Sequence, residues 1–249
     1  MGASAGENRT ERYVTLAQAR RSVYELLSAF YLDLPDRAMV QSLFAPDFEK
    51  ELSSVASAFE TGEIREGLRL IHGFISSFRN EPEEETLRRI AVDRTRLFRG
   101  ISEETGPPPP YESMYREHRT GGASSAEVFR FYEKLGVTPP ETVTESPDYL
   151  GVEIDFMRLL CRQEEEAWRN GNPGRALELL GAGLEFLREH LLKWVPSFCE
   201  RMVERAEIDF YRGLARFTSG FLAYDSRLVG ERLKEVRIHG ASDPRSRQG

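Results

Sequence analysis

Three acidic residues in one short stretch, Asp148, Glu153 and Asp155 of ESPDYLGVEIDFM, are the groups of this chain whose type and spacing best suit chemistry. Neighbouring carboxylates do acid–base work when their surroundings push their pKa values apart, and they hold metal ions when histidines or further carboxylates join them. Glu153 falls beside Leu150, Met157 and Leu160 on the apolar stripe of a helix, where an unpaired charge is costly. Such a residue is either paired structurally or part of a site. The structural pairing is the simpler reading, because the sequence offers Glu153 no companion histidine and no second carboxylate pair. The rival is a helical enzyme that uses Glu153 and Asp155 on a metal or a nucleotide.

Other chemistries have less to stand on. Ser113, Ser124 and Ser125 lack an obvious base, since His118 lies five residues from Ser113 on a loop or short helix. His72, His118, His190 and His239 form no His-Glu-x-x-His run, which leaves a helical metallohydrolase without ligands. Cys161 and Cys199 sit inside helical patterns outside any Cys-x-x-Cys spacing and read as reduced, partly buried thiols. Gly121-Gly122 and Gly181-Ala182-Gly183 lack the Lys-Ser/Thr or strand context of a phosphate loop, and there is no Gly-x-Ser-x-Gly elbow. The run Glu164-Glu165-Glu166 reads as a solvated face. What remains is aromatic: Tyr111, Tyr115 and Tyr149 flank the four prolines Pro107 to Pro110 and a second proline loop. Either they plug this hinge into the core, or they line a groove for an extended or helical peptide.

The elements that must position these residues are helices. Apolar positions recur at three and four from Tyr13 to Leu34, and Pro35 stops the pattern. Asp36 to Phe44 reads as a short helix, Pro46 to Phe59 as another, and Ile64 to Phe78 as a third. Glu83, Glu84 and Glu85 open the next helix against the positive end of its dipole, with arginines in its later turns and Gly100 as its cap. Beyond the prolines, Ala126 to Leu135 closes on Gly136. Asp148 to Trp168 takes Ser146 as N-cap and Pro147 as first residue, which makes Asp148 an N2 carboxylate. Asn172-Pro173 repeats that start signal, a segment from Ser197 to Ala206 follows Pro196, and Asp209 to Leu228 forms the last helix. No strand pattern of useful length appears. The expectation is an all-α bundle of about nine or ten helices, two lobes joined by a proline-rich hinge. In ranges, 1–10 is a mobile N-terminus, 11–100 an N-terminal helical part, 101–112 the hinge, 113–228 a C-terminal helical part and 229–249 a polar tail.

Composition bounds the partners. Of 249 residues, 40% are hydrophobic and 30% charged, ordinary for a soluble globular chain. A net charge of −7 argues against nucleic acid and suits a basic or apolar partner. No window approaches the roughly 18 apolar residues of a membrane span, and the N-terminus has no apolar core of a secretory signal. A cytoplasmic location follows as an expectation.

Four blocks resemble the TorD-type chaperones, including their DmsD and NarJ branches, which assist molybdenum-containing oxidoreductases. DRTRLFRG, Asp93 to Gly100, looks like the family's acidic-aromatic-Thr-Arg-Leu-Phe block, and PPYESMY, Pro109 to Tyr115, like its Pro-aromatic-x-Ser-x-Tyr block. ESPDYLGVEIDFM is similar to its Pro-Asp-His-x-x-x-Glu-Leu-x-Phe-Met signature, and His190 to Asp225 to its C-terminal helices. Arg94 stands where the family has an aromatic, and Tyr149 where it has histidine. The resemblance implies a cofactor-free, metal-free, non-enzymatic chaperone of a molybdopterin-dependent catalytic subunit. Its partner would be that subunit's N-terminal signal region, often twin-arginine. The proline hinge itself allows either a monomer or a hinge-exchanged dimer. A NarJ-like chaperone of a subunit that is not exported is the alternative within the family. A groove for such a leader would use Leu97 and Phe98 as anchors, Tyr111, Tyr115 and Tyr149 as aromatic walls, Ser113 as a cap, and Asp148 and Glu153 as charge.

Overall fold

The stripe that runs through Tyr24, Leu27 and Tyr31 folds as α1 (Gly2–Leu32), a helix that begins well before Tyr13. The computed structural model describes residues 2–58, 62–99, 106–137 and 144–240. After α1 come α2 (Arg37–Leu43), α3 (Pro46–Ala58), α4 (Glu63–Phe78), α5 (Glu83–Arg99), α6 (Glu112–Glu117), α7 (Ala123–Leu135) and α8 (Leu150–Arg169). Then α9 (Pro173–Phe186), a π-turn (Leu187–Leu191) and α10 (Leu192–Arg205) form one uninterrupted rod, followed by α11 (Asp209–Gly240). The all-α expectation holds, and among the described residues there is no strand, only one isolated antiparallel bridge between Tyr111 and Tyr149. Gly100, residues 101–105 of the hinge and the tail beyond 240 lie outside the described residues.

Local start and stop signals are used where their groups are free to act. Asp36 accepts from the Met39 N–H at 2.8 Å and caps α2, and Asn172 accepts from the Arg175 N–H at 3.1 Å and caps α9. Gly136 ends α7 at φ +65°, a left-handed turn that favours glycine. Ser146 does not cap α8: its hydroxyl turns to Asp148, the helix starts at Leu150, and Asp148 lies outside the first turn. The reason is the neighbouring chain. The Leu150 N–H donates to the Pro110 carbonyl and the Glu112 N–H to the Asp148 carbonyl, both at 2.9 Å, which holds Tyr149 extended. Pro196 also corrects its reading, because it sits inside α10 rather than ahead of it. A proline inside a helix removes one bond and crowds the carbonyl four residues back. Here the wider π-turn directly precedes α10. The last helix likewise continues past Leu228 to Gly240.

Packing draws on both sides of the proline segment. α1 lies along α8, α4 along α11, α8 along α9 and α10 along α11, and one apolar core runs from Tyr24 and Ile75 through Ile154 and Phe198 to Phe217. α4 and α11 cross backbone to backbone. A Cβ on Gly67 would meet the Phe217 nitrogen at 2.5 Å and the Gly213 carbonyl oxygen at 2.6 Å.

Beneath the apolar stripe of α1 a buried polar group joins three helices. Arg20 donates to Asp225 Oδ1 at 2.7 Å and to Glu164 Oε2 at 2.6 Å, and the Tyr24 hydroxyl donates to Asp225 Oδ2 at 2.6 Å. Glu165 beside it is buried and accepts from Gln18 at 2.9 Å. The triple-glutamate run is therefore no solvated face. Only Glu166 is exposed, because α1 covers the other two.

Candidate functional site: the proline seam

The proline segment is fixed at its start by close approach. A Cβ on Gly106 would come within 2.0 Å of the Arg96 carbonyl oxygen, so only glycine lets the chain lie against the end of α5. Pro107 and Pro110 turn inward, while Pro108 and Pro109 are half-buried. The chain then pairs with residues 146–150 through the bridge described above and enters α6, a six-residue helix packed on α7 and α10.

Asp148 is the pin of this seam. It has no exposed surface, and its carboxylate accepts from the Ser113 N–H at 3.1 Å, the Ser113 hydroxyl at 2.5 Å and the Ser146 hydroxyl at 2.5 Å. Three donors satisfy the charge that burial would otherwise penalise. Ser113 passes the connection on by accepting from the Gly121 N–H at 3.1 Å.

Next to the pin lies a second buried carboxyl pair. Glu112 and Glu153 are both fully buried. Glu112 accepts from Arg116 and from His190 Nδ1 at 3.0 Å, while Glu153 Oε2 accepts from the Trp194 indole at 3.3 Å. Burial, then the charge of Glu112, pushes the Glu153 carboxyl well above the ordinary range. The companion histidine and second carboxylate that the linear sequence lacked are thus supplied by folding. Asp155 does not join them: it pairs with Arg158 at 2.6 Å, as expected for residues two apart on a helix, which face different ways.

The other expected residues divide by depth. Leu97 and Phe98 lie in the core, Phe98 against Tyr31, Phe198 and Tyr211. Tyr149 is buried, and its hydroxyl donates to the Tyr31 carbonyl at 2.8 Å; burial, opposed by Arg94, pushes its pKa up to about 12. Tyr111 and Tyr115 are half-buried. Their hydroxyls donate to Glu145 at 2.8 Å and to the Pro108 carbonyl at 3.0 Å. Pro108, Pro109, Tyr111, Met114 and Tyr115 are half-buried, while Arg116 and Glu145, the acceptor of the Tyr111 hydroxyl, are exposed. Glu112, Arg116, His190 and Trp194 escaped the sequence reading. The one available signal was Glu153 on an apolar stripe, which demands a partner without saying which.

The seam brings half-buried apolar side chains beside the exposed carboxylate of Glu145, with its inner carboxyls closed off from solvent. Among the described residues no group of three or more His, Cys, Asp or Glu side chains is placed to hold a metal ion, and no helix is long and apolar enough to cross a membrane.

The chain is 23% identical over 222 residues to the chaperone protein TorD of Vibrio cholerae serotype O1 (strain ATCC 39541 / Classical Ogawa 395 / O395), covering 89% of this chain and 96% of the relative. It is 35% identical over 92 residues to the chlorate reductase assembly chaperone protein of Ideonella dechloratans, covering 37% of this chain and 47% of that relative. To the selenate reductase assembly chaperone protein of Thauera selenatis it is 34% identical over 92 residues, with the same shares of 37% and 47%. The model of the nitrate reductase delta subunit family matches residues 42–200, which take in α3 to α9, the π-turn and the whole seam. The chain therefore belongs to the nitrate reductase delta subunit family.

Proposed function

We propose that this protein is an assembly chaperone, not an enzyme, for a molybdenum-containing oxidoreductase subunit. It works in the cytoplasm and receives the subunit's N-terminal signal region on the seam. The observation that carries the reading is the half-exposed strip Pro108, Pro109, Tyr111, Met114 and Tyr115 beside Glu145, held in shape from below by Asp148. A leader with arginines ahead of an apolar stretch matches it: apolar residues lie on the tyrosines and prolines, and a guanidinium reaches Glu145. Half-buried tyrosines give large contact area at low entropy cost. Micromolar binding corresponds to about −8 kcal/mol, within reach of a few buried side chains less their ordering cost. The relatives named as reductase assembly chaperones support the client class.

Leu97, Phe98, Tyr149, Ser113, Asp148 and Glu153 then act from beneath, by fixing the strip; a client touches them only when the seam opens. The test is titration with a synthetic peptide of the client's N-terminus against the wild type, Tyr111→Ala and Tyr115→Ala. Each variant is expected to bind about tenfold or more weakly, one hot-spot loss of roughly 1.4 kcal/mol. Unchanged affinity in both, with helicity intact, removes the strip from the site. The second reading within the family is a NarJ-like chaperone whose client stays in the cytoplasm and whose leader carries no twin arginine. Replacing both arginines of the peptide by glutamine separates the two, since only export-type recognition then weakens.

A further inference from the structure

We infer that Glu112 and Glu153 share a single proton at neutral pH, and that losing it releases α6, so that the Tyr111–Tyr115 face exists in a proton-closed and a proton-free form. The inference stands on the buried cluster itself and does not depend on what the seam binds.

Glu112 and Glu153 come from elements far apart in sequence and are both fully buried. Their donors are unequally divided. Glu112 has both Arg116 and His190 against it. Glu153 has only the Trp194 indole on Oε2, and its Oε1 has no donor although it is shut off from water. A proton on Glu153 repairs this, because a carboxylic acid donates to the neighbouring carboxylate. A second ionised carboxylate, buried beside the first and without a cation of its own, is strongly disfavoured. Burial and Glu112 raise the Glu153 carboxyl, in keeping with that geometry.

The groups facing the pair oppose its second charge. Arg116 of α6, the one cation on it, is already paired with Glu112 and stands 3.7 Å from Glu127 of α7. Asp148 of the seam adds negative charge, and Tyr132 of α7 is a neutral phenol whose ionisation both glutamates oppose. His190 of the π-turn faces Glu112, and Trp194 of α10 brings only a neutral N–H. Loss of the proton therefore leaves one guanidinium for two carboxylates. The cheapest relief is movement of α6. It has six residues and Arg116 at its surface, whereas α8 and α10 are long and buried on several sides.

Trp194 reports directly, because it touches Glu153 and lies tilted against Tyr115 at 5.3 Å between ring centroids. The experiment follows tryptophan emission from pH 6 upward in the wild type and in Glu153→Gln, with far-ultraviolet dichroism to show retained helices. Glu153→Gln keeps a donor toward Glu112 at every pH. The wild type is expected to show a reversible emission change above neutral pH while its helices persist, and Glu153→Gln to show none. The same transition in Glu153→Gln overturns the inference. Infrared spectra supply a second readout that needs no variant. A protonated carboxyl band at neutral pH, lost together with the emission change, supports the shared proton; absence of that band at neutral pH overturns it.

Discussion

A single oxygen, the main-chain carbonyl of Tyr31, receives both Arg94 and Tyr149. α1 ends one residue later, so this carbonyl has no helical donor. The Tyr149 hydroxyl reaches it at 2.8 Å and the Arg94 guanidinium at 2.9 Å, while the same guanidinium lies 4.8 Å from the Phe98 ring centroid. The two side chains thus act as one cap. Tyr149→Phe alone is expected to cost about 0.5–1.5 kcal/mol in urea unfolding, because Arg94 keeps the carbonyl paired. Tyr149→Phe combined with Arg94→Met should cost more than the two singles together; strict additivity would show that the residues do not share the cap. Asp148→Ala strands the Ser113 N–H and two hydroxyls, and a loss of roughly 1–3 kcal/mol is expected by the same measurement. For Glu153 the sign runs with acidity. Its folded pKa is raised above about 4.3, so its contribution is full below that pH and is lost as pH rises through the folded value, at roughly 1.36 kcal/mol per pH unit. Glu153→Gln should therefore unfold at higher urea than the wild type at pH 8, with a flatter pH profile. None of these partners was legible beforehand, since a sequence shows that Glu153 is out of place on its stripe but not that α6 and the π-turn answer it.

At the scale of elements, periodicity was enough to find the helices and not enough to end them. The stripes of α4 and α5 were readable because a helix with one wet face spaces its apolar residues at three and four. The start of α8 was misplaced because Ser146 and Asp148, good capping residues in isolation, are claimed by the seam, a contact between segments 35 residues apart. Pro196 misled for a related reason: the preceding π-turn is set by packing, and no local residue type announces it. The crossing of α4 and α11 yields its own prediction. Gly67→Ala must push a methyl into the Phe217 and Gly213 backbones, which cannot swing aside as a side chain would. A loss of about 1–3 kcal/mol is expected in thermal or urea unfolding. Gly181→Ala, where a Cβ would meet nothing within 4 Å, should be neutral or slightly stabilising, since alanine favours a helix over glycine.

For the whole molecule, the all-α class followed from the absence of alternating patterns, while the way the halves combine did not. Breaking the Arg20 cluster tests that combination. Arg20→Met leaves Asp225 and Glu164 as buried charges without their cation, and a cost of about 3–5 kcal/mol is expected in urea unfolding. A much smaller loss would mean that the three helices are held by apolar packing alone. The cluster also sets an order of events during synthesis. Arg20 and Asp225 are 205 residues apart, so at about 5–20 residues per second a ribosome delivers the second roughly 10–40 s after the first. Until Glu164 and α8 emerge, 144 residues after Arg20, the opening helix is a guanidinium without a counter-charge and a stripe without its cover, and Asp225 completes the cluster last. The native state is reached only when the last helix clears the exit tunnel, which makes this a fold that closes at its end rather than one that grows from its beginning.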